Sequence, residues 1–213
     1  MSHKKIPVAV LISGTGNNLQ AIINAQKDFN YQVSLVISNR PNAKGIEKAK
    51  KVGIQTLVID HSKYKTRQEF DTKLHQAIKQ QKIKTVVLAG FMRILSPEFT
   101  TIFLGNMLNI HPSLLPKYPG LNTHQKVIEN QDQEHGLSIH FVTAELDGGP
   151  VILQAKFSVK KDDTAQTLKQ QTQQLEYRAY PQVIDWLVTN KLALKNNQAY
   201  LNNQLISDPL EFC

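Results

Sequence analysis

Between residues 7 and 89 the chain alternates short apolar runs with segments of helical spacing, and few folds accommodate that alternation. The apolar runs are Pro7 to Ile12, Gln32 to Ser38, Gln55 to Ile59 and Thr85 to Ala89. They are too short and too uniformly apolar for amphipathic helices, so they read as strands buried on both faces. Between them lie Asn18 to Phe29, with Leu19, Ile22, Ile23 and Phe29 on one side; Lys44 to Val52, stopped by Gly53; and Ser62 to Gln81, with Phe70, Leu74 and Ile78 aligned. Strands alternating with helices in this way require a parallel sheet covered on both faces.

The second half is denser. Met107 to Ile110 reads as a strand ending at His111-Pro112, and Ser113 to Gly120 as a rigid, proline-rich loop. Thr123 to Glu129 reads as a short helix. Leu137 to Thr143 and Val151 to Val159 read as strands around the turn Asp147-Gly148-Gly149-Pro150. Thr164 to Val188 predicts a long helix broken near Pro181, and Ala193 to Ile206 a terminal hairpin. The expected fold is therefore α/β: a doubly wound, mostly parallel central sheet with a small C-terminal helix and hairpin, as a single domain over residues 1–213.

Composition excludes several classes. The 213 residues are 41% hydrophobic and 20% charged, which is ordinary for a globular chain and unlike collagen, coiled coil or a disordered chain. No apolar run approaches the roughly 20 residues of a membrane span. The N-terminal apolar run meets Ser13-Gly14-Thr15-Gly16 too soon for a signal peptide. The one cysteine, Cys213, excludes an internal disulfide and a cysteine zinc cage, and a reducing cytoplasm is the expected location. The histidines show no metal-ligand spacing, so no metal is expected. The net charge of +8 fits a solvated lysine-rich surface, an anionic small ligand or a nucleic acid. The lysines are scattered with no aromatic-interleaved stripe, which weighs against nucleic acid.

Two constellations carry chemistry. The first strand ends in Gly14-Thr15-Gly16-Asn17-Asn18, where glycine lets the backbone approach a ligand and the next helix offers free N–H groups to an anion. The third glycine of a dinucleotide fingerprint and the Gly-Lys-Ser/Thr of a P-loop are both missing. A phosphate monoester, a dinucleotide (with Arg40 for a 2′-phosphate) and a purely structural turn all remain open. In the second, Asn109 and His111 sit at i and i+2 of a strand end and so share a face. Histidine moves protons near neutral pH and an asparagine amide donates to an oxyanion. Asp147 is an acid in a tight turn after a strand, and a carboxylate beside an imidazole favours its protonated form. With no supported nucleophile, the set suits direct transfer between two bound substrates.

Leu11 to Gln20, Ala89 to Leu95, Asn109 to Pro116 and Glu145 to Pro150 occur in this order and together resemble the phosphoribosylglycinamide formyltransferase family. The resemblance implies a Rossmann-like fold and transfer of a formyl group from 10-formyltetrahydrofolate, a cosubstrate, to the amine of glycinamide ribonucleotide in de novo purine synthesis. It implies Asn109, His111 and Asp147 as the catalytic trio. Thr15, Gly16, Asn17, Asn18, Gln173 and Glu176 would bind the ribonucleotide. Arg67, Met92, Arg93, Ile94, Leu95, Asn109, Thr143, Ala144, Glu145, Leu146 and Asp147 would bind the folate. It divides the chain into a phosphate-binding half over about 1–100, a folate and catalytic half over about 101–190 and a structural tail over 191–213. Ala144 and Asn122 stand where the family often has an acid and sometimes a histidine. Sister enzymes carry an added tRNA-binding or regulatory domain, for which 213 residues leave no room. Small-molecule substrates, no nucleic acid, no membrane, and a monomer or homodimer are expected. Another 10-formyltetrahydrofolate-using transferase or hydrolase and, further off, an NADP-dependent oxidoreductase are the alternatives.

Overall fold

The structure is a computed structural model that describes residues 5–212, so Met1 to Lys4 and Cys213 lie outside the described residues. The chain runs β1 (Ile6–Ile12), α1 (Asn17–Ala25), β2 (Tyr31–Ser38), α2 (Lys44–Lys51), β3 (Gln55–Val58), α3 (Arg67–Gln80), β4 (Thr85–Leu88), α4 (Pro97–Ile102), β5 (Met107–His111), α5 (Thr123–Glu129), β6 (Glu134–Phe141), β7 (Val151–Ser158) and α6 (Ala165–Val188). It closes with β8 (Leu192–Lys195), β9 (Gln198–Leu201), β10 (Gln204–Leu205) and β11 (Leu210–Glu211).

The main sheet has eight strands in the order β3-β2-β1-β4-β5-β6-β7-β11. β1 to β5 are parallel, as the alternation requires. β6 is antiparallel to β5, and β7 antiparallel to β6. Side chains of β1 alternate between two cores: Val8, Val10 and Ile12 pack with α1, α2 and α6, whereas Ala9 and Leu11 pack with α3 and α4. Both faces are covered, which is why the strands lack polar alternation. The chain builds outward from β1 to β3 and then crosses to the other side of β1 to begin β4. Ligands of such sheets bind at that reversal, outside the carboxyl ends of the strands. There Ser13 N donates to Gly90 O at 3.1 Å, joining the turns that follow β1 and β4.

Four details depart from the sequence reading, each for a local reason. The helix expected over 62–81 begins at Arg67, because Thr66 caps it by accepting from Glu69 N and a 3-10 turn occupies 61–63. The Ser96 cap and Pro97 at the first helical position start α4, a helix absent from the reading. α6 runs unbroken through Pro181, whose neighbours Ala179, Tyr180, Val183 and Ile184 are buried against the sheet and outweigh the roughly 3 kcal/mol of an interior proline. The terminal hairpin is a three-stranded meander β8-β9-β10, and the chain then returns so that Leu210 and Glu211 pair with Leu153 and Gln154. This covers the edge of β7, where unpaired strand groups would otherwise invite association.

One side chain fastens α6 to the strand ends. Tyr180 is buried, and its hydroxyl lies 2.9 Å from Leu88 O and 3.0 Å from Leu108 O. Tyr180→Phe removes that donor and is expected to lower unfolding free energy by about 1–2 kcal/mol with an unchanged m-value in urea. Unchanged stability contradicts the buttress role.

Candidate active site

The first half of the site is the turn after β1. Gly16 is the N-cap of α1 in the left-handed region (φ 70°), and among the described residues no side chain caps this helix. Its first N–H groups therefore lack partners and suit an anion. Close packing also demands glycine there. A Cβ on Gly16 would lie 2.6 Å from Gly45 Cα in α2, and Gly45 N donates to Gly14 O at 3.0 Å. Lys48, on the same helix, reaches Asn17 Oδ1 at 3.0 Å. Glu176 of α6 accepts from Asn18 Nδ2 at 2.9 Å, and burial holds its carboxyl above the usual range. Asn18 Oδ1 is buried without a partner. Gln173 lies one turn before Glu176 on α6, and Thr15 is exposed at the tip of the turn.

The second half lies at the ends of β5 and β6. Register places Asn109 opposite His140, next to a bulge between Ile139 and His140. Asn109 Nδ2 donates to His140 Nε2 at 3.1 Å and lies 3.4 Å from Asp147 Oδ1. His140 Nδ1 contacts the Phe141 carbonyl at 2.8 Å, which only an N–H can do, so Nε2 is the accepting nitrogen. Burial pushes the His140 pKa down, in agreement with that neutral tautomer. His111 Nε2 donates to Tyr118 O at 2.8 Å by the same logic, and its Nδ1 faces Asp147 Oδ2 at 3.5 Å. Asp147 is in the left-handed region (φ 50°) and also accepts from Gly120 N at 2.8 Å. The turn is pressed against β6, since a Cβ on Gly149 would lie 1.8 Å from Phe141 O. The proline-rich loop thus delivers a carbonyl to His111 and an amide to Asp147. It is held from outside by the Tyr118 hydroxyl on Asp132 Oδ2 at 2.9 Å.

A cleft opens beside this group. Of the residues assigned to the folate by resemblance, Arg93, Ile94, Leu95, Asn109, Thr143, Ala144, Glu145, Leu146 and Asp147 line it together, with Phe91, Thr100, His140 and Val142 in addition. Arg67 and Met92 do not line it: Arg67 is exposed at the start of α3, and the Met92 side chain is 56% exposed. Phe91 and Val142 adjoin those two segments, Thr100 comes from α4, and His140, a histidine the sequence reading places beside the site, comes from β6 opposite Asn109. Among the described residues no cluster of three or more His, Cys, Asp or Glu is arranged to hold a metal.

Behind the site, His124 Nδ1 and His135 Nε2 are 2.8 Å apart, one donating and the other accepting. Burial is the main cause that lowers both pKa values to about 4, with Lys169 acting against His124 and His124 against His135.

Residues 6–184 match the formyl transferase family. The chain is 49% identical over 199 residues to phosphoribosylglycinamide formyltransferase of Escherichia coli, covering 92% of this chain and 94% of that one. It is 42% identical over 196 residues to the human trifunctional purine biosynthetic protein adenosine-3, covering 91% of this chain and 19% of that protein. The solved phosphoribosylglycinamide formyltransferase of Coxiella burnetii superposes with a TM-score of 0.94 at 43% identity, over 98% of this chain and 100% of the other.

The paired histidines set a pH dependence. Their folded pKa lies below that of an unfolded histidine, so the unfolded chain binds more protons as pH falls from about 6.5 toward 4. Their contribution to stability is complete above that window and lost on descending through it. Tm is expected to drop across it more steeply for the wild type than for His124→Gln. Parallel curves contradict the assignment.

Proposed function

We propose that the chain, which belongs to the formyl transferase family, transfers the formyl group of 10-formyltetrahydrofolate to the amine of phosphoribosylglycinamide in purine biosynthesis. The products are formylglycinamide ribonucleotide and tetrahydrofolate. The observation that carries this reading is Asp147, whose carboxylate meets both His111 and Asn109 at the rim of the cleft. The uncapped α1 lies on the same sheet edge. β1 and β5 flank β4, so their ends are two strand spacings apart, about 10 Å.

In this reading the first half of the chain takes the ribonucleotide phosphate at Thr15 to Asn18, and Gln173 with Glu176 takes the ribose. The second half holds the folate in the cleft, where Ile94, Leu95 and Val142 present apolar surface to a flat ring and Arg93 and Thr143 supply polar groups. The substrate amine attacks the formyl carbon, and Asn109 donates an N–H to the oxygen that becomes negative. His140 fixes the amide orientation of Asn109. His111 keeps Nε2–H on the Tyr118 carbonyl, so Nδ1 is the atom that takes and returns a proton. Asp147 holds the imidazolium and, with His111, carries the proton from the attacking amine to the folate nitrogen as the C–N bond breaks. The His111–Asp147 and Asn109–Asp147 contacts, at 3.5 Å and 3.4 Å, are loose. The first commonly tightens when the substrate is bound, and the second is the N–H that Asn109 turns to the oxyanion while its other N–H stays on His140. The substrates are small molecules, the cytoplasm is the location, and one copy of the chain supplies every residue named, whether in a monomer or a homodimer.

An absorbance assay for the folate product tests the reading. Turnover is expected with phosphoribosylglycinamide and not with methionyl-tRNA or without an amine. Product formed equally without the amine points instead to a hydrolase. His111→Ala and Asp147→Asn are each expected to lower kcat at least ~100-fold, a barrier change of ~2.7 kcal/mol. Near-wild-type turnover by either folded variant overturns the trio. A bulky residue at Gly16 is expected to raise KM for the nucleotide more than for the folate, and equal rises contradict the phosphate assignment.

A further inference from the structure

The cleft wall from Phe91 to Ser96 contains no helix or strand, yet Arg93, Ile94 and Leu95 all face the cleft. Two buried side-chain oxygens from elsewhere in the fold grip its backbone. Ser13 Oγ accepts from Met92 N at 2.7 Å, and Asp71 Oδ2, on α3, accepts from Ser96 N at 2.6 Å. Both residues are only 3% exposed, and neither lines the cleft. Ser13 is itself fixed, donating its hydroxyl to Asn39 Oδ1 at 2.6 Å. Ser96 passes the constraint on by capping α4, where it accepts from Phe99 N at 3.3 Å.

Asp71 is an odd residue to find in a core. Burial raises its pKa, with the Ser96 N–H as the strongest opposing cause. Its second oxygen, Oδ1, is buried without a hydrogen-bond partner, as is Arg93 Nε. A buried carboxylate with one idle oxygen is a poor device for stabilising a fold. It faces the cations of Arg93 and Arg67, and the bond it does make goes to an irregular segment of the cleft wall.

We propose that Ser13 and Asp71 are positioning residues for the folate, clamping the backbone at both ends of Met92–Ser96 so that Arg93, Ile94 and Leu95 form a preset wall. This rests on the function proposed above. A wall fixed in advance binds its ligand without the entropy loss of ordering a loop. The clamp acts on one substrate only. Ser13 adjoins the phosphate turn, but Asp71 approaches from α3 on the opposite face of the sheet, so an effect common to both variants belongs to the segment they share.

The test combines steady-state kinetics with equilibrium binding of tetrahydrofolate for the wild type, Ser13→Ala, Asp71→Ala and Asp71→Asn, all checked for folding by circular dichroism. Each alanine variant is expected to raise KM for 10-formyltetrahydrofolate and Kd for tetrahydrofolate about tenfold, the scale of one buried amide left without its acceptor. kcat and KM for phosphoribosylglycinamide are expected to stay within about threefold, a change of under 1 kcal/mol. Asp71→Asn keeps an acceptor oxygen and is expected to recover most of the folate affinity. Unchanged folate binding in the alanine variants overturns the inference, as does an equal rise in both KM values. A wild-type chain that binds no tetrahydrofolate overturns the proposed function instead.

Discussion

Three groups share the two oxygens of Asp147: the imidazole of His111, the amide of Asn109 and the Gly120 N–H. The side chain is only 9% exposed. Removing a partner leaves a buried oxygen unsatisfied, at a cost of about 1–3 kcal/mol. The carboxylate therefore holds three separate pieces of chain in register: the end of β5, the start of the β6–β7 connection and the proline-rich loop. The left-handed backbone of Asp147 and the contact of Gly149 with β6 are what aim it there.

The other half-site depends on α6 in a comparable way. One helix carries Glu176 toward the phosphate turn and, one turn later, Tyr180 under β4 and β5. The turn after β1 and the ends of β4 and β5 are thus referenced to a single rigid rod rather than to each other through loops. Pro181 sits in the middle of that rod without breaking it, because both sides of the position are buried. The parallel half of the sheet supplies the uncapped turn before α1, and the antiparallel half supplies the register that sets Asn109 against His140.

The features legible in the sequence are those with a short repeat or a local cause. β1 to β5 follow from apolar runs, Asn109 and His111 from the two-residue period of a strand, and the tight turn after β1 from its glycines. What depends on distant pairing is not legible. His140 faces Asn109 only because two strands 31 residues apart are antiparallel. The Tyr118 carbonyl and Gly120 amide enter through backbone atoms of a folded loop, which no residue type announces. Ser13 reads as an ordinary turn residue and Asp71 as a polar position on a helix. Their contacts with Met92 and Ser96 join positions 79 and 25 residues apart. Pro181 misleads because a helix-breaking tendency is local and the packing that overrides it is not.

We propose direct formyl transfer between two substrates held along one sheet edge, with Asp147, His111 and Asn109 acting at the junction. A single-turnover experiment with an isotope-labelled formyl group addresses it most directly. The account predicts that the label passes from the folate to phosphoribosylglycinamide without appearing as free formate. Release of labelled formate at the same rate with or without the nucleotide would contradict it.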